Sequence, residues 1–286
     1  MFDIRLMRAD DVPHAERMWD HAYRTLLVEN HLPTAERTPE FVEMHQRRMQ
    51  HLRGTDPLGS WVAEAHGEVV AVAQAHLRGD RFVLATLGVR PDLQERGLGR
   101  ELLARTLDFG RVAPLGAIFS SPDPRAIHRY STAGFELHPT VVAFGPARKV
   151  TAAPYGIAVG SERDLDRVDA VDREVRGSMR TDDIRFTLTN GFDLLVDGER
   201  GYAVVRTGTV AMLAARDEES ATRLLTAAIA RCPHGDPVNV SWITSRQQWA
   251  VRALVKSGVP LFVHEAVMIR GPWEPQQPYL ASGIFG

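Results

Sequence analysis

The chain has 286 residues, room for two α/β domains of about 140 residues each, and its 44% hydrophobic and 24% charged content is that of an ordinary globular protein. A formal net charge of −2 excludes a general electrostatic attraction to nucleic acid or to an anionic membrane surface. Cys232 is the only cysteine, which excludes an intrachain disulfide; with no leader-like start and no run of about 18 uncharged apolar residues, the expectation is a cytoplasmic protein without a membrane anchor.

Taken in chain order, Phe2–Met7 alternates apolar and polar residues and predicts a first strand. Asp10 can cap a helix running to about Val28, with Pro13 tolerated in its first turn. Thr38-Pro39-Glu40 starts a second helix: a cap, a proline at the first helical position and an acid near the positive end. Trp61–Ala65 and Val69–Ala75 flank His66-Gly67-Glu68 as a hairpin, and a third strand covers Arg81–Val89. A helix is predicted over Gly97–Phe109, a strand over Ala117–Ser120, a helix over Pro124–Ala133 stopped by Gly134, and a strand over Val141–Phe144.

Pro146–Pro154 is proline-containing and weakly periodic, so it marks a boundary. After it the order recurs: strand Tyr155–Val159, helices Glu162–Val175 and Thr181–Thr189, hairpin strands Phe192–Val196 and Tyr202–Val205, strand Val210–Ala214, helix Glu218–Arg231, strand Val238–Ile243, helix Arg246–Lys256 and strand Phe262–Ile269. This reads as two copies of one αβ unit, each with its own sheet. The tail from Pro272 is rich in proline and glycine and predicts no regular structure. Its Trp273, Tyr279, Leu280, Ile284 and Phe285 are too apolar to be purely solvated, so it should dock on its own chain or on a partner.

The informative stretch runs from Val89 to Arg100. A strand end passes through a short turn into a helix start, whose unpaired N–H groups and partial positive charge suit a phosphate. Gly97 and Gly99 let phosphate oxygens approach the backbone, and Arg96 and Arg100 can add charge-assisted bonds. A tight turn without a ligand fits the same residues. Neither a G-x-G-x-x-G fingerprint nor a Walker loop is present.

Gln94-x-x-Gly97-x-Gly99 resembles the Q/R-x-x-G-x-G/A signature of the GNAT superfamily of N-acetyltransferases. Asp123-Pro124-Arg125-Ala126-Ile127-His128-Arg129-Tyr130, followed by Gly134-Phe135, resembles that family's later motif, with aspartate where the family more often has asparagine. The resemblance implies an α/β fold of two tandem GNAT-like domains, 1–150 and 151–286, each a mixed, mostly antiparallel central sheet flanked by helices. It implies acetyl-CoA as cosubstrate and an amine acceptor, either a small molecule or a peptide. It further implies that the amides of Gln94, Glu95, Arg96, Gly97, Leu98, Gly99 and Arg100 grip the pyrophosphate and that Leu87-Gly88-Val89 pairs with the pantetheine arm. The Val89 amide then polarises the acetyl carbonyl, and Asp123 stands at a further cofactor position. Tyr130 is the implied general acid for the departing thiolate.

Direct transfer needs a neutral amine, an oxyanion donor and a proton for the thiolate. Tyr130 can supply that proton; a tyrosine packed on the sheet with its hydroxyl bonded locally is the competing reading. No base stands out, and His76, Glu29 and His31 are the residues to consider. His14, His21, His31, His45 and His51 lack partners at metal-ligand spacing, so no metal is expected. Trp19 and Tyr23 lie one turn apart and fit either core packing or the wall of an acceptor pocket.

Aligned without gaps on Leu102-Leu103 and Leu224-Leu225, the second copy has Arg216, Glu219 and Ala221 opposite Gln94, Gly97 and Gly99. Glu219, with Asp217 and Glu218 beside it, should repel a phosphate, and aligning Gly134 with Gly258 sets Leu254 opposite Tyr130. The second copy therefore reads as GNAT-like without catalysis. Its segment Asp172–Ile184, with Arg173, Gly177 and Arg180, is similar to the second domain of tandem bacterial GNAT chains. An acyl-CoA-binding regulatory module without turnover is the alternative to an enzyme, and neither a monomer nor a homodimer is excluded.

Overall fold

The computed structural model describes residues 2–31, 34, 36–149, 152–272 and 278–286; Trp273 of the tail lies outside them. Two compact units divide the chain, Met1–Gly116 and Ala117–Gly286. No helix of the described residues is long and apolar enough to cross a membrane.

In the first unit, strands β1 (Asp3–Leu6), β2 (Ser60–Ala65), β3 (Glu68–Arg78) and β4 (Arg81–Val89) lie side by side in that order, all antiparallel. The turn between β2 and β3 places His66 and Gly67 at φ 53° and 80°, the two left-handed residues that a tight hairpin requires. Helices α1 (Val12–Glu29), α2 (Pro39–Thr55) and α3 (Leu98–Phe109) cover the sheet. The period of two divides its faces: Ala63, Ala71 and Ala73 pack with Leu98 and Leu102 of α3, while Val62 and Val72 pack with Ala15, Met18 and Met49 of α1 and α2. Thr38 caps α2 by accepting from the Phe41 N–H, as its sequence predicts.

The second unit contains β5 (Leu115–Ser120), which begins at the junction, α4 (Pro124–Thr132), β6 (Glu136–Pro146), β7 (Ala158–Val159), α5 (Leu165–Val175) and α6 (Thr181–Thr189). It continues with β8 (Asp193–Val196), β9 (Gly201–Arg206), β10 (Thr209–Ala215), α7 (Glu218–Ala230), β11 (Pro237–Thr244), α8 (Gln248–Ser257), β12 (Leu261–Arg270) and β13 (Tyr279–Leu280). Leu224, Leu225, Trp249 and Leu254 of α7 and α8 pack against Leu213, Val238 and Val240 in a core that also takes in Leu280 of the tail.

Two expectations need correction. The copies do not keep separate sheets: β12, the last strand of the second copy, lies between β5 and β6, and β6, the last strand of the first, lies between β12 and β11. Each final strand thus sits where the other copy's final strand would be expected. Period-two patterning selects a face and not a neighbour, so this exchange leaves no trace in either strand's sequence. The repeat copies and the compact units are consequently different divisions of the chain, and the Pro146–Pro154 linker falls inside the second unit. The tail is also partly regular, because β13 pairs antiparallel with β10, Leu280 opposite Leu213 and Tyr279 opposite Ala214.

Candidate active site

β4 ends at Val89, and the Arg90 N–H donates to the Val70 carbonyl at 2.9 Å. In an antiparallel ladder alternate residues face the same neighbour, so Arg90 and Gly88 turn their backbone polar groups toward β3. Val89 and Leu87 turn theirs away from it. The amide that the resemblance assigns to the acetyl carbonyl therefore lies on the edge of β4 that β3 leaves free.

After a short turn anchored by the buried Leu93, the Gln94 side chain donates to the Val89 carbonyl at 3.2 Å and pins the loop to the strand end. Glu95 and Gly97 then take left-handed conformations, φ 65° and 88°. Such alternation turns successive N–H groups into one concavity. Among the described residues the backbone N–H groups of Glu95, Arg96, Gly97, Leu98 and Gly99 donate to no backbone carbonyl, while those of Arg100 and Glu101 close on the Gly97 carbonyl, both at 3.0 Å. The space beside Gly97 is open, its nearest neighbour being the Arg100 guanidinium, so the positive φ is what calls for glycine there.

Charge follows the same plan. Arg90 is taken by Asp92 and Glu68, and Arg105 is taken by Glu101. Arg96 and Arg100 form no ion pair among the described residues and are exposed beside the free amides. The loop thus offers five unpaired amides, a helix N-terminus and two unneutralised guanidiniums to one anion.

Tyr130 sits on the buried side of α4 at 6% exposure, and its hydroxyl has no hydrogen-bond partner among the described residues, so the locally bonded reading fails. Burial pushes its phenol up to about 12, which keeps the proton on at neutral pH. Gly134 closes the helix at φ 87°, and the Phe135 N–H returns to the Tyr130 carbonyl at 3.1 Å. Asp123 is the cap of α4: its Oδ1 accepts from the Arg125 amide at 2.9 Å and from Arg125 Nε at 3.0 Å. Of the residues considered as a base, His76 is fully buried in β3, whereas Glu29 and His31 are exposed at the end of α1.

The second copy carries the same framework without the loop. The Arg216 N–H donates to the Arg200 carbonyl at 2.8 Å, the counterpart of the Arg90–Val70 bond, so Arg216 corresponds to Arg90 and not to Gln94. Only Arg216 and Asp217 separate β10 from α7, against eight residues between β4 and α3. The gap-free alignment therefore fails upstream of the helix, and the loop is missing rather than damaged. Asp217 caps α7 by accepting from the Ser220 N–H at 2.8 Å, and Arg200 bonds both Asp217 and Glu219. Leu254 does correspond to Tyr130, since the Val259 N–H returns to its carbonyl at 3.1 Å.

The tail occupies the edge of β10 that faces away from β9, the counterpart of the edge of β4 that faces away from β3. The Ala215 N–H, counterpart of that of Val89, donates to the Pro278 carbonyl at 3.2 Å, and β13 pairs with Leu213 and Ala214. The Tyr279 hydroxyl accepts from Arg176 Nε at 3.1 Å and Arg180 Nη1 at 2.9 Å; Arg180 Nη1 also donates to the Gly286 carbonyl. Both arginines are fully buried over Asp172, which accepts from the Tyr202 hydroxyl at 2.6 Å as well. Of the residues singled out in this segment, Arg180 belongs to the network, whereas Arg173 and Gly177 are exposed; Arg176 was the one to find, and its i+4 spacing from Asp172 is the signal.

Residues 21–135, which include the loop and the Tyr130 motif, match the model of the Acetyltransferase (GNAT) family. A candidate acetyltransferase from Pyrococcus horikoshii superposes with a TM-score of 0.81 at 18% identity, covering 100% of this chain and 96% of its own. A tandem GNAT protein from the clavulanic acid biosynthesis pathway gives 0.61 at 16% identity, covering 96% of this chain and 100% of its own. A GCN5-related N-acetyltransferase from Sphaerobacter thermophilus gives 0.60 at 16% identity, covering 94% of this chain and 95% of its own. At these identities the likeness is one of fold. No curated protein matches the chain.

Proposed function

We propose that the chain, whose residues 21–135 match the model of the Acetyltransferase (GNAT) family, transfers an acetyl group from acetyl-CoA to a primary amine of a small molecule or peptide, by direct attack in a ternary complex. The observation that carries this is the contrast between two strand ends of one framework. One leaves the amides of 95–99 and the guanidiniums of Arg96 and Arg100 unpaired. The other is shortened, capped by Asp217 and paired with the tail.

Acetyl-CoA, when bound, supplies an activated thioester. In this reading the 94–100 loop holds the pyrophosphate and the edge of Leu87–Val89 that faces away from β3 holds the pantetheine, with Asp123 at a further cofactor position. The Val89 N–H donates to the carbonyl oxygen as negative charge develops there; one such donor is commonly worth about 10²–10³-fold in rate. Tyr130 gives its proton to the departing thiolate; with no hydrogen-bond partner among the described residues it is available for that task. The second copy contributes structure and no chemistry.

Calorimetry with coenzyme A, together with thiol release from acetyl-CoA across a panel of amines, tests the reading. Gly97→Asp should abolish coenzyme binding, because it adds a charge and a side chain at φ 88°. Tyr130→Phe should bind the coenzyme normally and lose turnover. Undiminished binding in the first variant sinks the loop assignment. Tight binding by the native chain without turnover of any amine would make it an acyl-CoA-binding module.

A further inference from the structure

Within the first unit, α1 and α2 hold a polar cluster that no part of the cofactor site uses. Trp19 lies against the strand end: a Cβ on Gly88 would come within 3.1 Å of its Cδ1. Around Trp19 stand Tyr23, stacked at 5.1 Å, His45 at 5.1 Å and the Arg48 guanidinium 5.7 Å above its ring, with Phe41 4.0 Å beyond His45. Among the described residues two atoms of this cluster, His45 Nδ1 and Arg48 Nε, are buried with no hydrogen-bond partner.

The charges explain which partner is missing. Arg37 bonds Glu16 at 2.6 Å and Asp20 at 2.8 Å, and Arg24 bonds Asp20 at 2.9 Å. Both acids of α1 that face the cluster are thereby used. The acid whose field reaches Arg48 is Glu16, and Arg37 already holds its Oε2. Burial lowers the Arg48 guanidinium to about 10, leaving it a cation at neutral pH, and pushes His45 down to about 3, leaving it neutral. A half-buried guanidinium whose nearest acid is already bonded by another arginine is costly, and a tryptophan face does not replace a carboxylate. Buried polar atoms without partners are rare, and two on side chains that flank one aromatic ring point to a ligand.

We propose that this cluster is the acceptor subsite and that it takes an amine carrying a carboxylate, which Arg48 grips while Trp19 and Tyr23 bound its apolar part. The proposal rests on the acetyl-transfer reading, because Gly88 and Trp19 tie the cluster to the strand end assigned to the acetyl group. A bidentate guanidinium–carboxylate contact selects the acid over the neutral amide by roughly 10- to 100-fold.

The test titrates the native chain, with and without coenzyme A, using L-amino acids each paired with its carboxamide. Calorimetry reads binding, and thiol release from acetyl-CoA reads turnover. At least one pair should favour the acid by roughly 10-fold or more. That preference should vanish in Arg48→Gln, recover in part in Arg48→Lys and appear mainly in KM, with coenzyme affinity unchanged throughout. Equal binding of acid and amide in every pair overturns the proposal, as does a preference that survives Arg48→Gln. Loss of coenzyme binding by the native chain would instead overturn the acetyl-transfer reading, and the acid–amide comparison, read by calorimetry without coenzyme, would still decide on Arg48. Circular dichroism of both variants excludes misfolding as the cause.

Discussion

Glu265 on β12 is half-buried, and its Oε2 has no hydrogen-bond partner among the described residues. It lies where the ladder between β12 and β6 skips from Val263 to Ala266, and no ion pair meets it among the described residues. Burial pushes its carboxyl from 4.5 up to about 7. A folded-state value above the unfolded one means that folding favours the protonated form, so the native state binds more protons than the unfolded state between the two values. Stability from this group is complete below about pH 4.5 and is lost as pH rises through about 7. At ~1.36 kcal/mol per pH unit the full effect is about 3 kcal/mol, and partial exposure of the residue reduces it to about 2 kcal/mol. Glu265→Gln fixes the neutral form. It should therefore be more stable than the native chain by about 2 kcal/mol at pH 8.5 and by well under ~1 kcal/mol at pH 5. Urea unfolding of both proteins at the two pH values measures the gap. Other groups also titrate in that range: His45, whose value is lowered, costs stability as pH falls below its ordinary range. They are common to both proteins and cancel in the difference. A gap that is absent, or the same at both pH values, would show that the carboxyl is solvated or paired in solution and refute the argument.

Asp172→Ala should cost about 3–5 kcal/mol in the same assay, because it leaves Arg176 and Arg180 buried without their acid. Tyr279→Phe removes the acceptor of two arginine N–H bonds and should cost about 1–3 kcal/mol, with coenzyme binding unaffected. Arg96→Ala combined with Arg100→Ala should weaken coenzyme A binding roughly 10- to 100-fold, and the binding that remains should be less sensitive to salt; calorimetry at two ionic strengths reads both. Replacing Arg216 and Asp217 by the eight residues Arg90–Gly97 should not give the second copy coenzyme affinity while Pro278 and β13 hold its edge, which calorimetry on a Gly97→Asp background isolates.

Local chemistry was legible in the sequence wherever it acts within one turn. Thr38-Pro39 set a helix start and His66-Gly67 a hairpin, each where its residue types require it, whereas Gly97 was legible as room for a phosphate and not as the left-handed residue that leads into α3. The exchange of β6 and β12 was not legible, since either strand presents the same alternation to either neighbour. Nor were Arg48 and Glu265: their peculiarity is a partner that is missing, and a sequence does not show which charges remain unpaired after Arg37 has taken Glu16 and Asp20. In the second copy the sequence showed only part of the difference from the first. Acids opposite Gly97 weakened the pattern, whereas the larger change was a deletion that a gap-free comparison cannot display.

That deletion and the tail solve one problem together. A strand end with N–H groups on a free edge must find acceptors, because a buried unpaired amide costs about 1–3 kcal/mol. In β4 the groups of Leu87 and Val89 that face away from β3 are the ones the acetyl-transfer reading assigns to the cofactor. In β10 the corresponding groups meet Pro278, Tyr279 and Leu280, and the tail is held there by Arg176 and Arg180 through one tyrosine hydroxyl. With the tail in place a long phosphate loop would have nothing to bind, and two residues suffice to reach α7. Once the loop is gone, the tail has no competitor for the edge. Either change alone leaves unpaired amides, and the two together close the site.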